Sequence, residues 1–390
     1  MRRPTRRVVV TVMLRISNHR RFTANHTWHV DWAGDQLFVK ANPHHDEARA
    51  ECAGHARIRP FYPVPRLRDA RRVTRWTVLV YDRWPHLGPD NGLLLDEIAH
   101  ADLSRDTRRL DACLTAVFSH YQRVIGSTLR RTTNGETISK LYGDRAAEDG
   151  RLDRYYRADA PWPITAGTRR IRPSDLVGLR LVVNGREHTV NFADLMIRLR
   201  VQFARHSPVW AAVTQGDPTD INIGWSPTGG PVWFDYDTGG LNALPGEFAC
   251  FLLYQRLHGA WLTPHYNGAA FHDHPSALAP ASLPEPVVHL QHSGSSLAID
   301  YQHTPSPARL HVLRRYLNEV VQPASRHVGI DNVMAWLRPY LVMRLLAVYN
   351  LADLEPRDAA LSLALLADAL DTATTLPDFL ALTPSRSEVN

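Results

Sequence analysis

One short stretch in the second half of the chain constrains its fold more than any other feature. Between Gln215 and Gly240 the sequence reads QGDPTDINIGW, SPTGGP and VWFDYDTGG, a polar segment followed by two apolar strands around a turn. Asp217, Asn222 and Asp235 stand out among the apolar neighbours. Carboxylate and amide oxygens can hold Mg²⁺ against nucleotide phosphates, while a further carboxylate accepts the proton of an attacking hydroxyl. The stretch therefore predicts a strand-turn-strand that carries such a site.

Taken singly, the segments DPTD and DTGG are also ordinary turn sequences. Together and in this order, they resemble the catalytic centre of the aminoglycoside phosphotransferase and choline kinase group, which is related to the protein kinases. Members of this group have a His-Gly-Asp-x-x-x-x-Asn loop, followed by an apolar strand that ends in a metal-binding Asp. The resemblance implies that Asp217 is the catalytic base and that Asn222 and Asp235 hold Mg²⁺. Gln215 stands where the family has His, and its amide can brace the loop with similar hydrogen bonds. Asp237 is the alternative metal ligand.

The same resemblance implies an α+β, bilobal protein-kinase-like fold, with a small antiparallel β N-lobe over a larger, mainly helical C-lobe. ATP or GTP would bind between the lobes. We expect the N-lobe to span residues 1–84 and the C-lobe residues 85–390, because Pro85 cannot continue a strand ladder. The N-lobe strands are predicted at residues 8–16, 26–32, 36–41, 64–70 and 74–82.

Lys40 lies inside an apolar strand, where a lysine needs a partner or an anion. The family has a Lys on this strand that contacts the nucleotide phosphates and is held by a helix Glu. Residues 43–59 are predicted to form that helix, and Glu51 is the expected partner, with Glu47 one turn earlier as the alternative.

The first hairpin of the resembled fold covers the phosphates and usually contains glycine or serine. Here residues 17–25 read SNHRRFTAN and contain no glycine. Their hydroxyl, amide and arginine groups can still bond phosphate. A plain solvated turn is the alternative.

The C-lobe prediction rests on periodic apolar residues. A helix is expected over residues 104–127, and others from Asn191 to about residue 206, from Glu247 to about residue 261, and over 308–322, 331–350 and 357–371. Residues 141–190 are read as an irregular insertion that ends in a hairpin at Asn184-Gly185. We expect the histidine-rich residues 258–311 to form a loop over the acceptor pocket, with a zinc site at His272-Asp273-His274 as the alternative.

Composition excludes several other classes. The 390 residues are 44% hydrophobic and 22% charged, which is ordinary for a globular protein, and a net charge of +6 spread along the chain gives little support for nucleic-acid binding. Three distant cysteines favour a reducing compartment, and we expect a cytoplasmic protein. The apolar run at residues 8–14 follows several arginines but lacks a cleavage signal, so we read it as a strand. No stretch is long enough to span a membrane.

Three functions fit these observations. The first is an O-phosphotransferase acting on a hydroxyl of a small molecule, such as a sugar, an amino alcohol or an antibiotic. The second is a Ser/Thr kinase acting on a peptide in a peptide-modification pathway. The third is a nucleotide-binding pseudokinase that serves as a partner subunit, which Gln215 and the glycine-free hairpin favour.

Overall fold

The computed structural model describes residues 14–18, 26–88, 91–166, 168–257, 286–293 and 295–383. Parts of two predictions, the start of the first strand and most of the glycine-free hairpin, lie outside these ranges. The His272-Asp273-His274 cluster also lies outside them.

The N-terminal part is a five-stranded antiparallel sheet in the order β1-β2-β3-β5-β4. Its strands are β1 (Leu14–Asn18), β2 (His26–Trp32), β3 (Asp35–Asn42), β4 (Leu67–Val73) and β5 (Trp76–Asp82). Ala33 and Gly34 both have positive φ, 53° and 89°, which is the geometry of a two-residue turn between twisted antiparallel strands. This turn sets the register, and β2 pairs with β3 along its whole length.

Helix α1 (His45–Ile58) packs against this sheet. Acidic residues lie in its first turn and basic residues in its last turn, which complements the helix dipole. Ala48 and Ile58 are fully buried, and Glu51 is buried on the same helix. The helix predicted over residues 43–59 is therefore confirmed, and it presents a carboxylate to the sheet.

The C-terminal part is mainly helical. Its helices are α2 (Leu94–Ser104), α3 (Arg108–Thr128), α4 (Gly143–Ala146), α5 (Arg151–Tyr156), α6 (Phe192–Gln202), α7 (Leu244–Leu257), α8 (Pro307–Tyr316), α9 (Gln322–His327), α10 (Val333–Ala347), α11 (Pro356–Leu370) and α12 (Leu376–Phe379). A π-helical turn, Leu317–Val321, joins α8 to α9. The apolar face predicted for α3 is buried, and α7 is buried along its whole length against α10.

Short strands complete the C-terminal part. They are β6 (Arg130–Thr133), β7 (Thr165–Ala166), β8 (Arg169–Arg170), β9 (Arg180–Val183), β10 (Arg186–His188), β11 (Pro208–Thr214), β12 (Ile223–Ser226), β13 (Gly230–Trp233), β14 (Gly240–Ala243), β15 (Val287–Ser293) and β16 (Ser296–Gln302). The strands β12 and β13 form the predicted strand-turn-strand. The sheet β14-β11-β6 holds the segments on either side of it.

The structure differs from the prediction in several places. The insertion that was expected to be irregular contains helices α4 and α5 and the short strand pair β7–β8. Residues 287–302 form the hairpin β15–β16, which joins β9 and β10 in a four-stranded sheet, so the expectation of a loop there is wrong. Its apolar alternation is weak, because only β16 contributes fully buried apolar residues, Leu297 and Ile299. Histidines and glutamines interrupt the pattern on the rest of the hairpin. Helix α2 was not predicted, because its buried residues include Asp96 and Glu97 and its apolar pattern is therefore interrupted. No described helix combines the length and the apolar character needed to cross a bilayer.

Candidate active site

The predicted site residues meet at one cavity between the N-terminal sheet and the helical part. Lys40, Glu51, Asp217, Asn222 and Asp235 all line it. Its volume is about 350 Å³, which falls within the range of small-molecule sites. The sequence therefore identified five residues, from four separate elements, that share one cavity.

Lys40 is the centre of the ion pairs on the sheet side of the cavity. Its Nζ lies 2.7 Å from Glu51 Oε2 and 3.2 Å from Asp235 Oδ1. Burial alone would lower the pKa of Lys40, but the attraction of Asp235 and Glu51 outweighs burial and raises this pKa above its ordinary value. Lys40 is therefore held as a cation between strand, helix and loop. Glu47, the alternative partner, approaches Asn42 instead.

Glu51 is held on its other side by a hydroxyl. Tyr81 on β5 donates a hydrogen bond of 2.9 Å to Glu51 Oε1. Burial raises the pKa of Glu51, and the charge of Lys40 opposes that rise. The carboxylate is thus fixed by two groups and can keep the Lys40 ammonium in position.

Asp235 adopts a strained backbone conformation at the end of the β12–β13 unit. Its φ is 55°, a left-handed value that costs free energy in a residue with a Cβ atom. Strain of this kind persists only where the surroundings hold it, and here Gln215 Nε2 donates to the carbonyl oxygen of Asp235. No described residue donates a hydrogen bond to the second carboxylate oxygen of Asp235, which leaves an oxygen available for a ligand.

Gln215 braces the loop in the way the sequence predicts for an amide in this position. It is fully buried, its Nε2 also donates to Phe234 O at 3.0 Å, and its Oε1 accepts the backbone N–H of Asp217 at 2.8 Å. Gly216, the residue before Asp217, is equally constrained. Its φ is 92°, and an added Cβ would lie 2.4 Å from Thr238 O. The loop is therefore locked on both sides of Asp217.

Asn222 closes the same loop. Its Nδ2 donates to the backbone oxygen of Asp217 at 2.9 Å, so its side-chain oxygen is left for other partners. Its own carbonyl accepts the N–H of Phe234, which ties the loop to the strand that ends in Asp235. These contacts hold Asn222 and Asp235 next to each other across the turn.

Three residues make contacts with this loop and the strand before it that could not be found from the sequence. Cys250 Sγ donates to Asp217 Oδ1 at 3.0 Å, and Arg344 Nη1 lies 3.3 Å from the same oxygen. Glu247, predicted only as the first residue of a helix, accepts hydrogen bonds from Thr214 Oγ1 at 2.7 Å and from the N–H of Gly216 at 3.0 Å. These partners come from α7 and α10, and no local spacing in the sequence connects them with the loop.

The donor set fits a hard divalent cation. Mg²⁺ commonly takes one or two carboxylates together with water and phosphate oxygens, and Asp235 and Asn222 supply oxygens of this kind. Asp237, the alternative ligand, forms an ion pair with Lys140 instead. Among the described residues, no three His, Cys, Asp or Glu side chains come together as a metal-binding cluster.

Comparisons with known proteins give a match at the level of structure only. No protein-family model matches the chain, and no curated protein matches its sequence. A thermostable mutant of aminoglycoside phosphotransferase APH(4)-Ia, solved as a ternary complex with AMP-PNP and hygromycin B, matches with a TM-score of 0.51 and 10% identity over 94% of this chain and 97% of its own.

Two further structures align with lower scores. A glucosamine kinase gives a TM-score of 0.41 and 12% identity over 93% of this chain and 78% of its own. A microcompartment-associated aminopropanol kinase gives a TM-score of 0.38 and 12% identity over 92% of this chain and 90% of its own. At such identities a match shows the fold, and the chain therefore has the bilobal, protein-kinase-like fold of aminoglycoside phosphotransferase APH(4)-Ia that the sequence predicts.

Proposed function

We propose that this protein is an ATP-dependent O-phosphotransferase that moves the γ-phosphate to a hydroxyl group of a small molecule. The observation that carries the proposal is the convergence of Lys40, Glu51 and Asp235 with Asp217 and Asn222 on one cavity. The structural neighbour solved with AMP-PNP supports an adenine nucleotide as the donor. The intact Lys40–Glu51 pair favours an enzyme over a pseudokinase.

Each residue has a separate task in the proposed reaction. Asp217 accepts the proton of the acceptor hydroxyl, and Cys250 and Arg344 fix one of its oxygens so that the other can face the acceptor. Lys40 binds phosphate oxygens, and Glu51 holds it there. Asn222 and Asp235 would hold Mg²⁺, which neutralises phosphate charge when it is bound. Positioning and charge neutralisation supply most of the rate acceleration.

Two measurements test the proposal. Isothermal titration with AMP-PNP and Mg²⁺ should show one nucleotide per chain in the wild type and in Asp217→Asn. ATP consumption, screened against hydroxyl compounds, should fall by about 10²–10⁴-fold in Asp217→Asn, the range expected for a lost general base. Asp46→Asn is the matched control, because the Asp46 side chain is 94% exposed on α1. Absence of nucleotide binding, or turnover that survives in Asp217→Asn, would refute the proposal.

A further inference from the structure

The helical side of the cavity is apolar. Beyond Asp217 the lining comes from α7, from α10 and from the segment that leads into α11. Its apolar members are Leu253, Leu257, Leu345, Val348 and Leu354. An apolar wall of this extent favours a ligand that buries carbon surface.

A largely buried guanidinium group lies beside Asp217 on this side. Asp217 and Arg344 are the charged groups that the described residues of the loop and of these helices contribute to this part of the lining. Arg145 and Arg151 lie behind Arg344, and both donate to the carbonyl oxygen of Ala347, at 3.1 and 3.2 Å. Burial, together with the charges of Arg344 and Arg151, lowers the pKa of Arg145 to about 10. Arg344 therefore meets the Asp217 carboxylate at the lining, and two further guanidinium groups lie behind Arg344.

A cationic ligand would meet two costs here. Its ammonium group would lose water on entering an apolar pocket, and it would also be repelled by Arg344, whose side chain is only 10% exposed. Asp217 offers limited compensation, because one of its oxygens already contacts Arg344 and Cys250.

Two buried hydroxyl groups on this side have no described partner. Tyr254 and Thr219 are among the residues that line the cavity, and they are 7% and 3% exposed. Neither hydroxyl makes a hydrogen bond to any described residue. Buried polar groups are normally satisfied, so these two indicate a ligand with uncharged polar atoms beside the reacting hydroxyl.

We propose that the acceptor is an uncharged, mainly apolar alcohol and not a cationic amino sugar, an inference that rests on the proposed function. The Leu253 and Leu345 side would bury its carbon skeleton, the Tyr254 hydroxyl would bond a second polar atom, and Asp217 would receive its hydroxyl group.

A matched pair of probes tests this charge preference directly. N-acetyl-L-phenylalaninol and L-phenylalaninol share a hydroxyl and an aromatic ring, but only the second carries an ammonium group at pH 7. Ligand-observed NMR titrations at saturating AMP-PNP and Mg²⁺ should show the acetylated probe binding at least about tenfold more tightly. Hygromycin B, the polycationic ligand of the structural neighbour, should not bind. Arg344→Gln should reduce the ratio of the two probes' dissociation constants. Arg314→Gln, which replaces an exposed arginine on α8, should leave this ratio unchanged.

The role of Tyr254 is tested separately. Tyr254→Phe keeps the ring and should weaken the acetylated probe by about threefold to tenfold, the value of one hydrogen bond, with little change for nucleotide. Equal affinities of the two probes, a preference for the amine, or no binding of the acetylated probe would each overturn the inference. These outcomes are separable from failure of the proposed function, because nucleotide binding and the Asp217→Asn effect are measured independently of the acceptor's charge.

Discussion

Two groups of charges lie on either side of the loop that carries Asp217, and they differ in what surrounds them. On the sheet side, Lys40 bridges Glu51 and Asp235, and the Asp235 side chain is 32% exposed to the cavity. On the helical side, Arg309 of α8 forms a 2.9 Å ion pair with Asp220 of the loop, and both side chains are fully buried.

The difference shows why similar ion pairs can serve binding in one place and stability in another. A bound nucleotide can pair with the charges at the cavity and so replace one of their present partners. Among the residues that the structure describes, Arg309 and Asp220 pair with each other, and Gln255 accepts a hydrogen bond of 2.7 Å from Arg309. Removal of one partner should therefore change function on the sheet side and stability on the helical side.

The largest expected effect is on stability. Arg309→Met leaves the Asp220 carboxylate buried without its partner and should lower the free energy of unfolding by about 3–5 kcal/mol, measured by urea denaturation. The double variant Arg309→Met/Asp220→Leu should recover part of this loss, because no buried charge remains. Arg49→Met, at a side chain that is 79% exposed, is the control. A loss below about 1 kcal/mol would show that the pair does not hold the loop.

The next effect should appear in function. Lys40→Met should reduce turnover by about 10²–10³-fold, as expected when a single preorganised charge is lost. The cost to folding should be smaller than for Arg309→Met, because Glu51 keeps the hydrogen bond from Tyr81 and burial already raises its pKa. The matched control is Lys140→Met, since Lys140 pairs with Asp237 at the edge of the same site. Unfolding that matches Arg309→Met would remove the distinction between the two sides.

The sheet side was largely predictable from the sequence. Asp217, Asn222 and Asp235 lie within one short segment, so their convergence needs only a tight turn between two strands. Lys40 and Glu51 lie on a strand and the helix that follows it, which must pack together. A further signal was present: among 45 basic residues only Lys40 and Lys140 are lysines, and both pair with carboxylates beside this cavity.

The helical side was not predictable from the sequence. Arg309, Arg344 and Glu247 reach the loop from helices whose order in space depends on long-range packing. The helix periods predicted α8, α10 and α11, but a period fixes only which face is buried and not which loop it meets. The β15–β16 hairpin was missed for a related reason, because its pairing with β9 is parallel and distant in sequence.

A third prediction concerns the pH dependence of the free energy of unfolding, to which Glu247 contributes. Burial raises the pKa of Glu247 to about 7, although the hydrogen bonds from Thr214, Gly216 and Tyr121 oppose the rise. A carboxyl group whose pKa is higher in the folded state than in the unfolded state favours folding at low pH. This contribution should be lost between about pH 4.5 and 7, a decrease of the order of 3 kcal/mol. Urea denaturation as a function of pH measures it.

Glu247→Gln provides the control for this pH dependence, because the amide has the size of the carboxyl group but does not titrate. The variant should show a flatter profile across the same pH range. An unchanged slope in Glu247→Gln would assign the pH dependence to other groups, such as Asp237, whose pKa is raised to about 6 by burial and by the charge of Asp235.

The smallest expected effect concerns the brace itself. Gln215→His restores the residue of the resembled motif, and a neutral imidazole can accept from the N–H of Asp217 with one nitrogen and donate to Phe234 O with the other. The change should therefore alter the free energy of unfolding by less than about 1 kcal/mol and turnover by less than about fivefold. Gln215→Ala removes all of these hydrogen bonds in a fully buried position and should cost about 1–3 kcal/mol. A histidine variant as unstable as the alanine variant would show that the amide does more than brace the loop. Only the amide can donate to the carbonyls of Phe234 and Asp235 together, and these bonds hold Asp235 in its strained conformation.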